Sequence, residues 1–267
     1  MLKSRLLAAF LLLHVLPAPG QSGLIAKSEP SFVKTAIKQL IAGSILLALT
    51  GCAGTYHSYL DTLKLAFTSN EDVNLSLQQV QAAPSDLLYV RHGERAVAAM
   101  ALLRLEAGQH KWVSADNALL IMEQGRIVRT VGFSNDLLYL SNTQSDQIRD
   151  YKAINPDSEW LRLADWQNGE YGYLLKSRFT VQPDQPLSFF GQNLNTTLIT
   201  EYVSYDSESN FVRLDTSWHN SFWYDSASGT LIKSVQQLSP VAEPFEMTYI
   251  SRIARLLPSA TVGGSDE

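Results

Sequence analysis

The residues best suited to chemistry are the run Arg91-His92-Gly93-Glu94, which follows an apolar stretch over residues 87–90. A histidine imidazole can accept a phosphoryl group, and a neighbouring guanidinium can hold the phosphate through charge-assisted hydrogen bonds. A nearby carboxylate can deliver the proton that such a reaction needs. These residue types could together perform phosphoryl transfer with His92 as the nucleophile.

This run resembles the nucleophile motif of the histidine phosphatases, an α/β family whose active site needs a second histidine. The only downstream histidines are His110, directly before a Lys-Trp pair, and His219, on the polar side of an alternating pattern. Residues 96–106 are good helix formers, yet both of their alternating sets are largely apolar, so a buried strand fits as well. We therefore interpret Arg91 and His92 as a chance match and keep a lipid-anchored histidine phosphatase as an alternative.

The single cysteine, Cys52, ends a second chemical pattern. An apolar run, Leu40–Leu49, follows Lys34 and Lys38 and leads into Leu49-Thr50-Gly51-Cys52. This arrangement resembles the lipobox of bacterial lipoproteins, in which the cysteine sulfur receives a diacylglycerol and the peptide is cut before the cysteine. Only a thiol can form that thioether. The alternative is a small buried cysteine at the end of an apolar helix.

The lipobox divides the chain into a leader, residues 1–51, and a mature domain, residues 52–267. An earlier apolar run, Leu6–Leu16, also has the build of an export signal, and neither run reaches the ~20 apolar residues that cross a bilayer. Since one signal suffices, we hypothesise that translation starts at Val33. Ala53 follows the cysteine where an aspartate usually causes inner-membrane retention, which favours the outer membrane.

Composition excludes several classes of protein. The 267 residues include 21 basic and 26 acidic side chains, a net charge of -5, which argues against a nucleic-acid partner. A single cysteine excludes an intrachain disulfide framework and a zinc site of several thiolates. Removing residues 1–51 removes five basic residues and one acidic residue, so the mature chain has a net charge of -9.

Alternation and turn residues predict a mainly β mature chain. Ser76 is predicted to cap a short helix through Val80, and residues 146–158 form a polar excursion. Short turns between strands favour an antiparallel meander, barrel-like or sandwich-like, in one domain with a short N-terminal helix. The predicted strands span residues 110–114, 118–123, 126–131, 171–180 (ended by Pro183 and Pro186), 212–219, 222–225, 230–238 and 245–253.

Aromatic residues at strand spacing are a further candidate site. They could stack on sugar rings, but at this spacing we expect most of them in the core, with Trp223 facing outward because it is out of phase with its neighbours. The residues are Trp112, Trp160, Trp166, Trp218, Phe222, Trp223 and Tyr224.

The acidic residues give no clear site. Asp206, Glu208, Asp215 and Asp225 are close in sequence, and we interpret them as solvated loop residues. Neither a cofactor nor a metal site is predicted, because no phosphate-binding loop, dinucleotide fingerprint or zinc motif occurs.

Three segments together resemble the YjbF/GfcB lipoprotein family, which is named for capsule and exopolysaccharide operons. They are residues 60–67, residues 111–118 with 125–132 and 135–138, and residues 222–225 with 228–229 and 232–234. The resemblance implies a β-rich periplasmic domain tethered by lipid, with residues 96–105 as a strand. It implies no active site.

These observations predict an outer-membrane lipoprotein on the periplasmic side, anchored by acylated Cys52. We expect a non-enzymatic accessory in capsule or exopolysaccharide assembly or secretion, whose partners are export or assembly proteins, with the polymer itself as a second candidate partner. The alternatives are the phosphatase that uses Arg91 and His92, and a carbohydrate-binding module that uses exposed tryptophans.

Overall fold

The computed structural model describes residues 71–206 and 216–257. Within these residues, twelve strands form a single antiparallel sheet, and two short helices, α1 (Leu77–Gln81) and α2 (Ile250–Leu256), accompany it. The strands are β1 (Leu87–His92), β2 (Ala98–Glu106), β3 (Gln109–Val113), β4 (Leu119–Glu123), β5 (Arg126–Val131), β6 (Leu137–Leu140), β7 (Glu159–Trp166), β8 (Glu170–Phe189), β9 (Gln192–Tyr205), β10 (Ser217–Asp225), β11 (Leu231–Gln236) and β12 (Phe245–Thr248).

The sheet is a meander that curls into a nearly closed barrel. Strands that are neighbours in sequence pair with each other, except β5 and β6, and the first strand pairs with the last one through β1 and β12. The edges of β5 and β6 are joined by side chains: Thr130 donates to Asp136 at 2.8 Å and accepts from the Leu137 amide at 2.9 Å. The predicted mainly β fold with a short N-terminal helix is confirmed.

Side chains along each strand point alternately to the two faces of the sheet, and this gives two separate hydrophobic clusters. On β1, Leu88 and Val90 point into the barrel, whereas Leu87 points to the outer face. The inner cluster fills the barrel with large side chains, including Trp160, Trp166 and Phe222. The outer cluster lies where α1 and α2 cover the sheet.

The strands predicted over 118–123 and 126–131 are confirmed as β4 and β5, and Gln124 and Gly125 form the turn that joins them. Gln124 and Gly125 both adopt positive φ angles, 48° and 93°, as a two-residue hairpin turn of this hand requires. A Cβ atom on Gly125 would lie 2.2 Å from Leu231 Cδ2, so the turn also packs tightly against β11. The predicted strand over 96–105 is likewise confirmed as β2.

Two strand ends differ from the prediction. Strand β8 does not stop at Pro183 and Pro186, because a register shift between Gln182 and Gln185 absorbs the first proline and lets pairing continue to Phe189. The strand predicted over 245–253 ends at Thr248, and helix α2 follows. That helix buries Ile250, Ile253 and Ala254 on one face. The spacing of these three residues is helical, and the segment around them is otherwise apolar.

The short helix predicted after Ser76 is confirmed. The Ser76 hydroxyl accepts from the Gln79 amide and the Gln79 side chain accepts from the Ser76 amide, which forms a capping box. The excursion predicted over 146–158 contains a 3-10 helix, Gln147–Ala153, and a shorter one, Thr143–Ser145, precedes it. In the described part of the chain, no helix has the length and apolar character needed to span a bilayer.

Candidate functional site

His92 lies at the end of β1 among aromatic rings. Its imidazole stacks on Phe245 at 4.2 Å between ring centroids and meets the edge of Phe133 at 5.3 Å. Its Nδ1 is 4.0 Å from the Glu243 carboxylate. Burial lowers the pKa of His92, and the Glu243 charge opposes that change. These contacts favour a neutral ring that packs against the barrel end.

The other parts of a phosphatase site are not beside His92. Arg91 points to Asp72, whose carboxylate accepts from its guanidinium at 2.8 Å. His110 on β3 pairs with Leu105 of β2 and Met122 of β4. This position lies beyond the end of β1 that is away from His92, and β1 itself is six residues, or roughly 20 Å, long. His219 lies three strands from β1 and is exposed.

The tryptophans lie mostly in the core, as predicted. Trp112, Trp160, Trp166 and Trp218 are between 1% and 7% exposed. Trp223 is half-buried on the outer face, where the Lys233 ammonium lies 5.3 Å from its ring centroid. Sugar stacking on the four buried rings would require the core to open.

The predicted loop acids divide into two cases. Asp206 is exposed, but Asp225 is buried and its carboxylate accepts from the Ser228 amide at 2.7 Å, so it shapes the turn between β10 and β11. Interpreting Asp225 as solvated was therefore wrong. Glu208 and Asp215 lie outside the described residues. No group of three or more potential metal ligands occurs in residues 71–206 and 216–257.

The interior of the barrel contains a buried charged cluster that the sequence analysis did not identify. Arg126 on β5 holds Asp146 through two hydrogen bonds, at 2.8 and 3.2 Å, and reaches Glu201 on β9 at 2.5 Å. Arg162 on β7 lies 3.3 Å from the other oxygen of Glu201 and donates to Ser177 at 2.5 Å. We call Arg126, Arg162, Asp146 and Glu201 the buried charge cluster.

Aromatic rings and hydrogen bonds complete this cluster. The two guanidiniums flank the Trp160 ring, with Arg162 at 4.0 Å and Arg126 at 4.9 Å from its centroid. Asn220 and Ser177 both donate to Glu201, at 2.8 and 2.5 Å. A signal for the cluster does exist in the sequence. Arg162 is in phase with inward-facing Trp160, and Glu201 is in phase with inward-facing Ile199 and Val203.

The protonation states follow from these contacts. Burial acts to raise the pKa of Glu201, but the charges of Arg126 and Arg162 and the hydrogen bonds from Asn220 and Ser177 lower it to about 2. Burial acts to lower the pKa of Arg126, and the charges of Asp146 and Glu201 outweigh it and raise that pKa. Arg126 and Glu201 are therefore both ionised at neutral pH.

A small cavity lies beside the cluster, inside the barrel. Arg126, Arg162, Trp166 and Trp218 are among its lining residues, and about 20 Å³ of it is open to the centre of a water molecule. That space holds one water-sized particle and no sugar ring. Larger concave regions are on the outside of the sheet, including a groove of about 570 Å³ beside Tyr202.

The predicted lipidation site, Cys52, and the leader over 1–51 lie outside the described residues, as does the first half of the strand predicted over 212–219. The geometry of the described residues therefore identifies a filled barrel with exposed outer grooves.

Comparison with known proteins identifies the family to which this chain is similar. Residues 60–250 match the family model described as group 4 capsule polysaccharide lipoprotein gfcB, YjbF. The chain is 32% identical over 216 residues to the uncharacterized lipoprotein GfcB of Escherichia coli K12, covering 80% of this chain and 98% of that protein. It is 25% identical over 209 residues to the uncharacterized lipoprotein YjbF of the same organism, covering 77% and 94%.

A solved structure agrees with these matches. The crystal structure of the hypothetical lipoprotein YmcC from Escherichia coli K12 is similar to this chain with a TM-score of 0.61 and 30% identity. The similarity covers 78% of this chain and 98% of that chain. The chain therefore belongs to the YjbF/GfcB family of group 4 capsule polysaccharide lipoproteins.

Proposed function

We propose that this protein is a non-enzymatic accessory in the assembly or secretion of a capsule or exopolysaccharide, anchored through acylated Cys52 to the periplasmic side of the outer membrane. The main support for this proposal is the family match over residues 60–250, because the description of that family names a lipoprotein and capsule polysaccharide. The lipobox ending at Cys52 and the Ala53 that follows it support the anchor and its destination.

Because the interior of the barrel is filled, it supports a function in which the protein binds its partners on its outer surface. Large side chains and the buried charge cluster fill the interior, and the cavity beside the cluster is too small for a monosaccharide. A polymer or a partner protein therefore binds outside, where grooves such as the one beside Tyr202 are open.

Charge favours a protein partner over the polymer. The mature chain has a net charge of -9, which repels an acidic polysaccharide in the absence of bridging cations. We therefore propose that the principal contacts are with export or assembly proteins.

Deletion and anchor variants test this function. Deleting the gene is expected to lower surface polysaccharide, and Cys52→Ser is expected to reproduce the loss although the protein is still made. Ala53→Asp is the matched control, since it keeps the lipid and is expected to move the protein to the inner membrane. Normal polymer levels in both the deletion and the Cys52→Ser strain would refute the role.

A phosphatase assay tests the non-enzymatic part separately. The purified protein is expected to release no phosphate from p-nitrophenyl phosphate above background, and His92→Ala is expected to give the same rate. Phosphate release that disappears in His92→Ala would show the histidine phosphatase instead.

A further inference from the structure

The groove beside Tyr202 combines an exposed aromatic ring with polar side chains. Tyr202 on β9 is 55% exposed on the outer face, and the residues directly opposite it are Arg178 on β8 and His219 on β10. A second outward-facing row on the same three strands consists of Lys176, Ser204 and Ser217. Both rows line the groove of about 570 Å³.

The register of the strands gives this groove its size and its access to the ring. Neighbouring strands are about 4.8 Å apart and successive outward residues about 7 Å apart, so the two rows cover roughly 10 by 7 Å, which is comparable to one sugar ring. Ser204 and Ser217 are short side chains. A flat ligand that lies over them can therefore reach the ring of Tyr202.

The polar groups of the groove match sugar hydroxyls, which both donate and accept hydrogen bonds. The two serine hydroxyls can do both, the ammonium of Lys176 and the guanidinium of Arg178 only donate, and the Asp206 carboxylate in the lining accepts. The hydrogen bond from Arg178 to Glu159, at 3.0 Å, uses only Nε, one of its five N–H donors.

The charge around the groove favours a neutral sugar over an acidic one. Lys176 and Arg178 both bind Glu159, at 2.9 and 3.0 Å, and Asp206 adds a second carboxylate. The two cations and the two carboxylates balance, which leaves no surplus of positive charge to attract an acid group. A neutral ligand is also not repelled by the net charge of -9 of the mature chain.

A second outer groove, of about 640 Å³ beside β5 and β6, has a different chemistry. Half of the residues that line it are apolar, including Leu119, Ile121 and Tyr139. Exposed apolar surface of this kind is typical of contacts with proteins. The groove beside Tyr202 instead surrounds one ring with donors and acceptors, which suits a polymer of sugars.

We propose that the groove beside Tyr202 binds a neutral sugar unit of the polysaccharide, whose apolar C–H face packs on the Tyr202 ring while its hydroxyls bond to the surrounding polar groups. This inference rests on the function proposed above, since that function supplies the polymer. It adds a polymer contact to the contacts with export or assembly proteins.

Native electrophoresis in gels that contain polysaccharide purified from the producing strain tests the groove. The full-length protein is expected to migrate more slowly as the polymer concentration rises. Tyr202→Ala is expected to weaken the apparent affinity about tenfold, whereas Tyr202→Phe keeps the ring and is expected to stay within about twofold of the wild type. Because Tyr202 is exposed, both variants are expected to keep the wild-type midpoint of unfolding.

Tyr171→Ala is the matched control, because Tyr171 is 62% exposed on β8 and does not line this groove. It is expected to keep the wild-type affinity. Equal affinities of Tyr202→Ala and Tyr171→Ala would overturn the site. Reducing the carboxyl groups of the polymer to alcohols is expected to leave the slower migration unchanged, and its loss would overturn the assignment of a neutral sugar.

The outcome separates this site from the proposed function. If deleting the gene lowers surface polysaccharide but the polymer does not slow the wild-type protein, the accessory function stands and the sugar site is wrong. If the polymer slows the wild-type protein but deletion leaves surface polysaccharide unchanged, the site stands and the accessory function is wrong.

Discussion

Replacing Glu201 with glutamine is expected to destabilise the protein by about 3 kcal/mol. Glu201 is completely buried, and its two oxygens face Arg126 at 2.5 Å and Arg162 at 3.3 Å. Glutamine keeps the size of the side chain and removes the charge, which leaves Arg162 buried without a counter-charge. Removing one partner of a buried ion pair typically costs about 3–5 kcal/mol, a large share of the ~5–15 kcal/mol that stabilises most domains.

The direction of the pKa shift of Glu201 agrees with a stabilising role for its charge. The folded-state pKa is about 2, against 4.5 for the free side chain. That difference corresponds to a contribution on the order of 3 kcal/mol to the free energy of unfolding. Because the folded pKa is the lower one, the contribution is complete above pH 4.5 and is lost as the pH falls toward 2. The Glu201→Gln variant is expected to lack this part of the acid destabilisation.

Urea denaturation followed by tryptophan fluorescence at pH 7 measures the effect, and an unchanged m-value would show that the same surface is exposed on unfolding. Glu159→Gln is the matched control, since Glu159 also binds two cations, Lys176 at 2.9 Å and Arg178 at 3.0 Å, but on the exposed outer face. Its loss is expected to stay below about 1 kcal/mol. If Glu201→Gln destabilises no more than Glu159→Gln, the inferred energetic role of the buried charge cluster is wrong.

Three further substitutions test other parts of the fold by the same denaturation assay. Gly125→Ala is expected to cost about 1–3 kcal/mol, because its φ is 93° and the new Cβ would lie 2.2 Å from Leu231; an unchanged midpoint would contradict the tight turn. Asp136→Ala removes the acceptor of Thr130 and of two loop amides between β5 and β6, with an expected loss of about 1–3 kcal/mol. A loss below about 0.5 kcal/mol, which is the usual range for surface substitutions, would show that these bonds do not close the barrel. Ser76→Ala removes the cap of α1 and is expected to cost about 1 kcal/mol, whereas Ser76→Asp should retain most of the stability.

Local patterns in the sequence predict β3, β4, β5, β8, β11 and β12, and they predict β10 as two pieces. They do not predict β1, β6, β7 or β9. The alternation around Leu175 and Phe179 identifies the inward face of β8, and Gln124-Gly125 identifies a hairpin turn. The errors occur where local signals are ambiguous. Pro183 signals a strand end unless a bulge accommodates it, and residues 245–253 are apolar enough to suit either a strand or a helix.

The buried charge cluster shows a different limit. The sequence shows that Arg162 and Glu201 occur at the same alternating positions as inward-facing apolar residues. Burying a charge without a partner is unfavourable, however, so the alternation alone does not predict that these two side chains are buried. Those partners are 39 residues apart in the chain, and a third member, Arg126, is 75 residues from Glu201. Periodicity along one strand contains no information about which distant strands face each other across a barrel.

The sequence by itself therefore determined the β-rich class and the hairpins that join β4 to β5 and β10 to β11, because each depends on residues that are close together in the chain. It also predicts the lipobox at Cys52. Only the tertiary structure decided that β1 pairs with β12, that the edges of β5 and β6 meet through Thr130 and Asp136, and that two arginines share Glu201 inside the barrel. These features depend on closure of the whole sheet, which brings distant strands together and excludes the water that would otherwise solvate the charges.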